Sequence, residues 1–173
     1  MKTLVSAALT AVLAVPALAS AQAGAPAGRS VPGGAKTDFT GVWVYNQAQS
    51  ARGTSGNSPV VSFPTEIHIK QLPGELHWEG HTVRQDSVTA VFKLDGTEVP
   101  MKGNEESTLK GKAMIEGDTL VIVSSRSYSS PIGDIVTEYR EVYSLSGNVL
   151  TIEKTQSTGG VSNTLKAVYN KMS

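Results

Sequence analysis

From Phe39 onward apolar and polar residues alternate, and glycine-containing pairs break the alternation at short intervals. Period-two alternation marks a strand with one face buried, whereas an amphipathic helix needs apolar residues every three to four positions. No stretch of helical length keeps that second period, so the chain reads as all-β. The pairs Pro73-Gly74, Asp95-Gly96, Gly117-Asp118, Gly147-Asn148 and Gly159-Gly160 stand between apolar runs. They predict strands at roughly 39–45, 64–72, 75–80, 87–94, 97–101, 107–116, 119–127, 134–145, 149–158 and 161–171. Alternate connections are tight turns and the rest are longer, which predicts a single antiparallel up-and-down β-barrel of about eight to ten strands. Closure removes the exposed sheet edges and puts the longer loops at one end. The Gly/Ser-rich stretch 46–62 offers few apolar anchors and is expected to be a mobile lid.

Hairpin register turns these strands into faces. With Gly147-Asn148 as a two-residue turn, Leu145 faces Leu150, Tyr143 faces Ile152, Glu141 faces Lys154 and Tyr139 faces Gln156. The opposite face carries Glu138, Arg140, Ser144, Thr151, Glu153 and Thr155, a water side, so the first set points inward. Near the tight turn the inner face is apolar. Towards the long loops it becomes polar, with Arg126 added from the neighbouring hairpin; the second hairpin adds Trp78 to the inner face. A cup results, with an apolar floor and a ring of Arg126, Tyr139, Glu141, Lys154 and Gln156 near the mouth. Buried charge is costly unless paired or hydrated, so this ring is satisfied by its own members, by water or by a ligand.

The first residues, "MKTLVSAALTAVLAVPALASAQA", have the form of a secretory signal peptide: Lys2, a short apolar run, then Pro16 and small residues. That run is too short for a transmembrane helix, which needs about 20 residues. Cleavage after Ala19, Ala21 or Ala23 fits equally. The expected organisation is a leader over 1–21, a Gly/Ala/Pro linker over 22–37 and a barrel domain over 38–173, exported to the periplasm or beyond. With no cysteine there is no disulfide, thiolate metal site or lipid-bearing thiol. The 15 basic and 15 acidic residues cancel, so nothing favours nucleic acid or an anionic membrane. A monomer is expected.

The Gly41-Val42-Trp43 triplet on the first strand, the long first loop and the run of hairpins resemble the lipocalin-like, or calycin, β-barrels. "TGVW", "GDTLVI" and "VTEYREVYSLSGNVLTIEK" are similar in phrasing to secreted bacterial proteins with a lipocalin-like domain. The resemblance implies an eight-stranded barrel. It also implies that Trp43 packs across the closed end against a basic residue late in the last strand, Lys166 or Lys171.

His68, His77 and His81 share the outer face of the second hairpin, with His68 opposite Glu79. Imidazoles beside a carboxylate can ligate zinc or copper. The simpler reading is three solvated histidines, and no metal site is assigned. There is no Gly-x-Ser-x-Gly elbow, phosphate loop or dinucleotide fingerprint, so neither an enzyme nor a cofactor is expected. The leading expectation is a binding protein holding a small amphipathic molecule, with Trp78, Arg126, Tyr139, Glu141, Lys154 and Gln156 as ligand contacts. The alternative is a filled barrel that works through its surface, as an envelope or protein-interaction module.

Overall fold

The computed structural model describes residues 37–51, 62–83, 86–103, 107–131 and 133–173. The leader and, apart from Thr37, the linker lie outside the described residues. In chain order the strands are β1 Gly41–Tyr45, β2 Glu66–Leu72, β3 Glu75–His81, β4 Ser87–Lys93 and β5 Val99–Met101. They continue with β6 Thr108–Glu116, β7 Thr119–Ser130, β8 Gly133–Ser146, β9 Val149–Thr158 and β10 Val161–Lys171. No helix occurs among the described residues.

All ten strands belong to one antiparallel sheet, ordered β4-β3-β2-β1-β10-β9-β8-β7-β6-β5. Its two ends meet where Thr89 of β4 and Lys102, just past β5, exchange both backbone hydrogen bonds at 2.8 Å. The result is a nearly closed barrel, laced at β4–β5 by one bridge where the other neighbours share ladders. Ten strands match the ten ranges read from the turns, and exceed the eight that the resemblance implies. The three-residue β5 stands as a separate strand, paired to β6 through Val99↔Gly111 and Met101↔Leu109.

The tight turns explain the legible register. Gly74 and Gly147 sit at φ 76° and 58°, in the left-handed region that glycine enters without a Cβ penalty. Each allows the chain to reverse in two residues and so pins the ladder beside it. The pairs Leu145↔Leu150, Tyr143↔Ile152, Glu141↔Lys154 and Tyr139↔Gln156 all form. On β10, Leu165 faces Lys154 and Asn163 faces Gln156.

The lid expectation needs a correction over its first part. Asn46 N donates to Val168 O at 2.8 Å and Ala51 N to Lys166 O at 2.9 Å, so residues 46–51 run tied along β10. Ser50 stitches the same segment, its Oγ accepting from Val168 N at 2.9 Å. These bonds come from backbone and one serine, so poverty in apolar anchors did not leave the segment free. Of the rest of the predicted lid, 52–61 lies outside the described residues, and Ser62 O accepts from Lys154 Nζ at 3.2 Å.

One half of the interior is solid. Phe39, Trp43, Ile67, Leu76, Phe92, Leu120, Tyr143, Leu150 and Tyr169 have no exposed surface. Trp43 donates from Nε1 to Phe39 O at 3.0 Å, which satisfies the indole inside the core. The Lys171 ammonium lies 5.4 Å from the Trp43 ring centre. Gly41 makes this possible: a Cβ there would stand 2.7 Å from Lys171 Cε and 3.4 Å from the indole. The glycine of the Gly-x-Trp triplet thus leaves the passage through which Lys171 crosses the tryptophan. Gly80 does the same for the other indole, since a Cβ there would meet Trp78 at 2.6 Å.

Candidate functional site

Strands β7, β8 and β9 carry the polar residues of the interior, and period-two alternation sets their direction. Leu120 and Ile122 are buried on the inward face of β7, which Ser124 and Arg126 continue towards the long-loop end. On β8, Tyr143, Glu141 and Tyr139 follow the same phase, and on β9 Ile152, Lys154 and Gln156 do. A slip of one residue would have turned all of them outward.

Glu141 and Lys154 form a direct ion pair, Lys154 Nζ to Glu141 Oε1 at 2.9 Å, and each side chain is only 13% exposed. The pair is embedded in further contacts. Tyr143 Oη donates to Glu141 Oε2 at 2.5 Å. Lys154 Nζ donates to Ser62 O at 3.2 Å. The ammonium also lies 4.7 Å from the Tyr139 ring centre and 5.8 Å from that of Phe63. The quadrupoles of those rings favour a cation at such distances. Lys154 therefore has its charge answered from three sides.

Arg126 stands apart from this pair. It faces Thr137 across the β7–β8 ladder, whereas Glu141 faces Ile122, four residues away along β7. That separation is about 13 Å at the rise of an antiparallel strand. Of the three residues expected to converge, Glu141 and Lys154 form a closed pair, and Arg126 leaves the sheet further along, nearer the strand ends. Its Nε is buried and has no hydrogen-bond partner among the described residues. Trp78 Nε1 is buried too, beside the Tyr143 hydroxyl, towards which it acts as a hydrogen-bond donor. That hydrogen bond favours the ionised form of the Tyr143 hydroxyl and opposes the upward shift that burial and Glu141 cause. Tyr139 and Gln156 are partly buried on the same inner face.

Two contacts of this cluster were not read from the pattern. Tyr143 touching Glu141 is a same-face neighbour two positions along β8, and period two contains that signal. Phe63 is different: it lies in a connection, where no periodicity announces its direction. It packs against the core, its ring 6.4 Å from that of Tyr45 and stacked on it.

Burial raises the Tyr143 hydroxyl well above the usual tyrosine range, and the neighbouring Glu141 charge adds to it. Tyr169, whose hydroxyl donates to Pro64 O at 2.9 Å, is raised by the same two causes in the same order. A raised folded-state value means the folded chain keeps its phenolic protons where the unfolded chain loses them. The contribution is complete below about pH 10, the unfolded tyrosine value, and is lost as pH rises towards the folded values. Above that point each tyrosine lowers stability by about 1.4 kcal/mol per pH unit. Urea unfolding at successive alkaline pH values should show this slope for the native chain. The slope should be shallower for Tyr143→Phe and shallower still for Tyr143→Phe/Tyr169→Phe.

Outside the barrel, a groove of about 890 Å³ crosses β1 to β5. Its walls are two outward rows, one including Val42, His68, Glu79 and Lys102, the other including Lys70, His77, Val91 and Pro100. The buried Ile69, Trp78 and Ala90 form the row between them. A smaller groove of about 360 Å³ lies over the outward residues of β6 to β9, among them Lys110, Ser125, Glu138 and Arg140.

No protein-family model matches the chain, and no curated protein does. Among solved structures, zebrafish ileal bile acid-binding protein complexed with cholic acid is similar over 78% of this chain and 98% of its own. The identity is 21% and the TM-score 0.49. A secretory abundant heat soluble protein from Ramazzottius varieornatus is similar over 79% of this chain and 96% of its own, at 18% identity and TM-score 0.48. The barrel assignment rests on the chain's own strand pairing.

Proposed function

We propose that the barrel holds a small amphipathic molecule beneath its mouth, with an anionic or carbonyl oxygen accepting a hydrogen bond from Arg126. The observation that carries this is the buried Arg126 Nε, a charged N–H donor without a hydrogen-bond partner among the described residues. A buried donor left unsatisfied costs about 1–3 kcal/mol, more when charged, and a ligand oxygen removes that cost. Lys154 is committed to Glu141, so Arg126 is the group available for a head group, with Tyr139 and Gln156 beside the path to it. The body of the ligand lies above the floor, because the floor residues are packed without exposed surface. Largely apolar enclosure with a few placed polar groups is what small-molecule sites generally offer. The leader pattern supports export to the periplasm or beyond.

The second reading, a filled barrel working through its surface, is favoured by the solid floor and by the groove across β1–β5. Native mass spectrometry of the chain purified from its own host separates the two. A retained small molecule is expected, and its apparent affinity should fall by at least tenfold in Arg126→Met, at unchanged unfolding midpoint. A chain that carries no molecule, or an Arg126→Met variant that holds it equally well, rules out the interior site.

A further inference from the structure

Three Glu-x-His steps lie on the second hairpin: Glu66-Ile67-His68, Glu75-Leu76-His77 and Glu79-Gly80-His81. Side chains two apart in a strand share a face, and the intervening Ile67, Leu76 and Gly80 are buried. All six polar residues therefore point outward. The register then sorts them. Glu66 is opposite His81 and His68 is opposite Glu79, whereas His77 is opposite Lys70. Two histidines and two glutamates form a square on β2 and β3, and the third histidine sits beside a lysine.

We infer that His68, Glu79 and His81 form a binding site for a divalent transition cation of the zinc type, on the outer wall of the barrel. One donor atom from each of the three lies within 4.8 Å of the other two. Metal bonds of about 2.0–2.1 Å to imidazole nitrogen and carboxylate oxygen place tetrahedral donors roughly 3.3–3.4 Å apart. His81 Nε2 and Glu79 Oε1 already stand at 3.3 Å. The His68 and His81 rings have centres 5.0 Å apart and are tilted by 57°, so they converge without stacking. Bringing the third donor in takes side-chain rotation and no movement of the sheet.

Glu66 completes the arrangement. Its carboxylate pairs with His68 Nε2. A carboxylate on one ring nitrogen fixes the orientation of the imidazole and raises the basicity of the other nitrogen towards a metal. The side chains of the four are 32–42% exposed, which lets an ion enter and lets water fill a remaining position. Two imidazoles and a carboxylate, with no thiolate, suit zinc, copper or nickel over magnesium or calcium. The outward residues across the flanking ladders are neutral: Val42 beside His68, Val44 beside Glu66, Thr89 beside Glu79 and Ser87 beside His81, while along β2 the next outward residue after His68 is Lys70. Lys102 enters that row only beyond Thr89. The Glu75–His77 pair, at 2.5 Å, has the same local spacing but Lys70 opposite, and provides an internal control.

The test is zinc titration of the full chain, prepared without a histidine tag, in competition with a chromophoric chelator. One equivalent of Zn²⁺ should bind, and His68→Asn, His81→Asn and Glu79→Gln should each weaken it by at least tenfold. His77→Asn should bind zinc as the native chain does, and Glu66→Gln should lose about 10–100-fold, the usual scale for an outer carboxylate. Zinc should also raise the unfolding midpoint of the native chain and of His77→Asn, and leave that of His68→Asn unchanged. Absence of stoichiometric binding, or an equal loss in His77→Asn and His68→Asn, overturns the site.

Discussion

Trp43→Ala is expected to lower stability by about 3–5 kcal/mol, the range for removing a large aromatic side chain from a packed core. Trp43 has no exposed surface, and its Nε1 supplies the hydrogen bond to Phe39 O at 3.0 Å. Truncation therefore opens a cavity and leaves a buried carbonyl without that donor. The surroundings cannot collapse easily, because Ile67 on β2 and Lys171 on β10 flank the position in opposite ladders. Urea unfolding should show a lower midpoint with unchanged slope. Trp43→Phe should lose less, since the ring still fills part of the space. Lys171→Met tests the cation over the ring separately and should cost about 0.5–1 kcal/mol. A change within about 0.5 kcal/mol for Trp43→Ala would instead describe a surface residue.

That role for Trp43 was open to reading, and so was most of the sheet. The glycine turns fix where each hairpin reverses, and one reversal fixes the pairing of every residue beside it. The Gly147-Asn148 turn determines that Glu141 meets Lys154, and the polar residues of the opposite face determine that both point inward. Less legible was anything set by strands distant in sequence. The β4–β5 junction depends on Thr89 meeting Lys102, and no local pattern specifies that bridge. Alternation puts Arg126 on one face with Glu141 but does not give a side chain's height in a tilted barrel. Height follows from the ladder, which sets Arg126 beside Thr137. Phe63 and the anchoring of 46–51 on β10 lie in connections, where periodicity is silent. The histidines were correctly put on the outer face. Their division into a square of four and a separate pair needed only the hairpin register together with the repeated Glu-x-His spacing.

Lys154→Met should be among the most damaging single substitutions, because it leaves Glu141 inside the barrel facing only the Tyr143 hydroxyl. Breaking a buried pair from one side costs about 3–5 kcal/mol, and the 13% exposure of each side chain places this pair towards the lower end. Glu141→Leu strands the ammonium instead, but Ser62 O and the rings of Tyr139 and Phe63 remain around it. Glu141→Leu should therefore cost less than Lys154→Met. Replacing both together should be nearly neutral, since two apolar side chains of similar volume remove the desolvation cost with the attraction. The interaction energy of this cycle, read from urea unfolding of the four chains, should then be at least about 2 kcal/mol. A cycle that closes to within about 0.5 kcal/mol would mean the two groups titrate and hydrate independently at a wet rim. The same four chains bear on the proposed binding site. If the pair is a structural brace and Arg126 holds the head group, the double variant should keep its ligand while Arg126→Met releases it. Loss of ligand in the double variant at native stability would move the head group from Arg126 to Lys154.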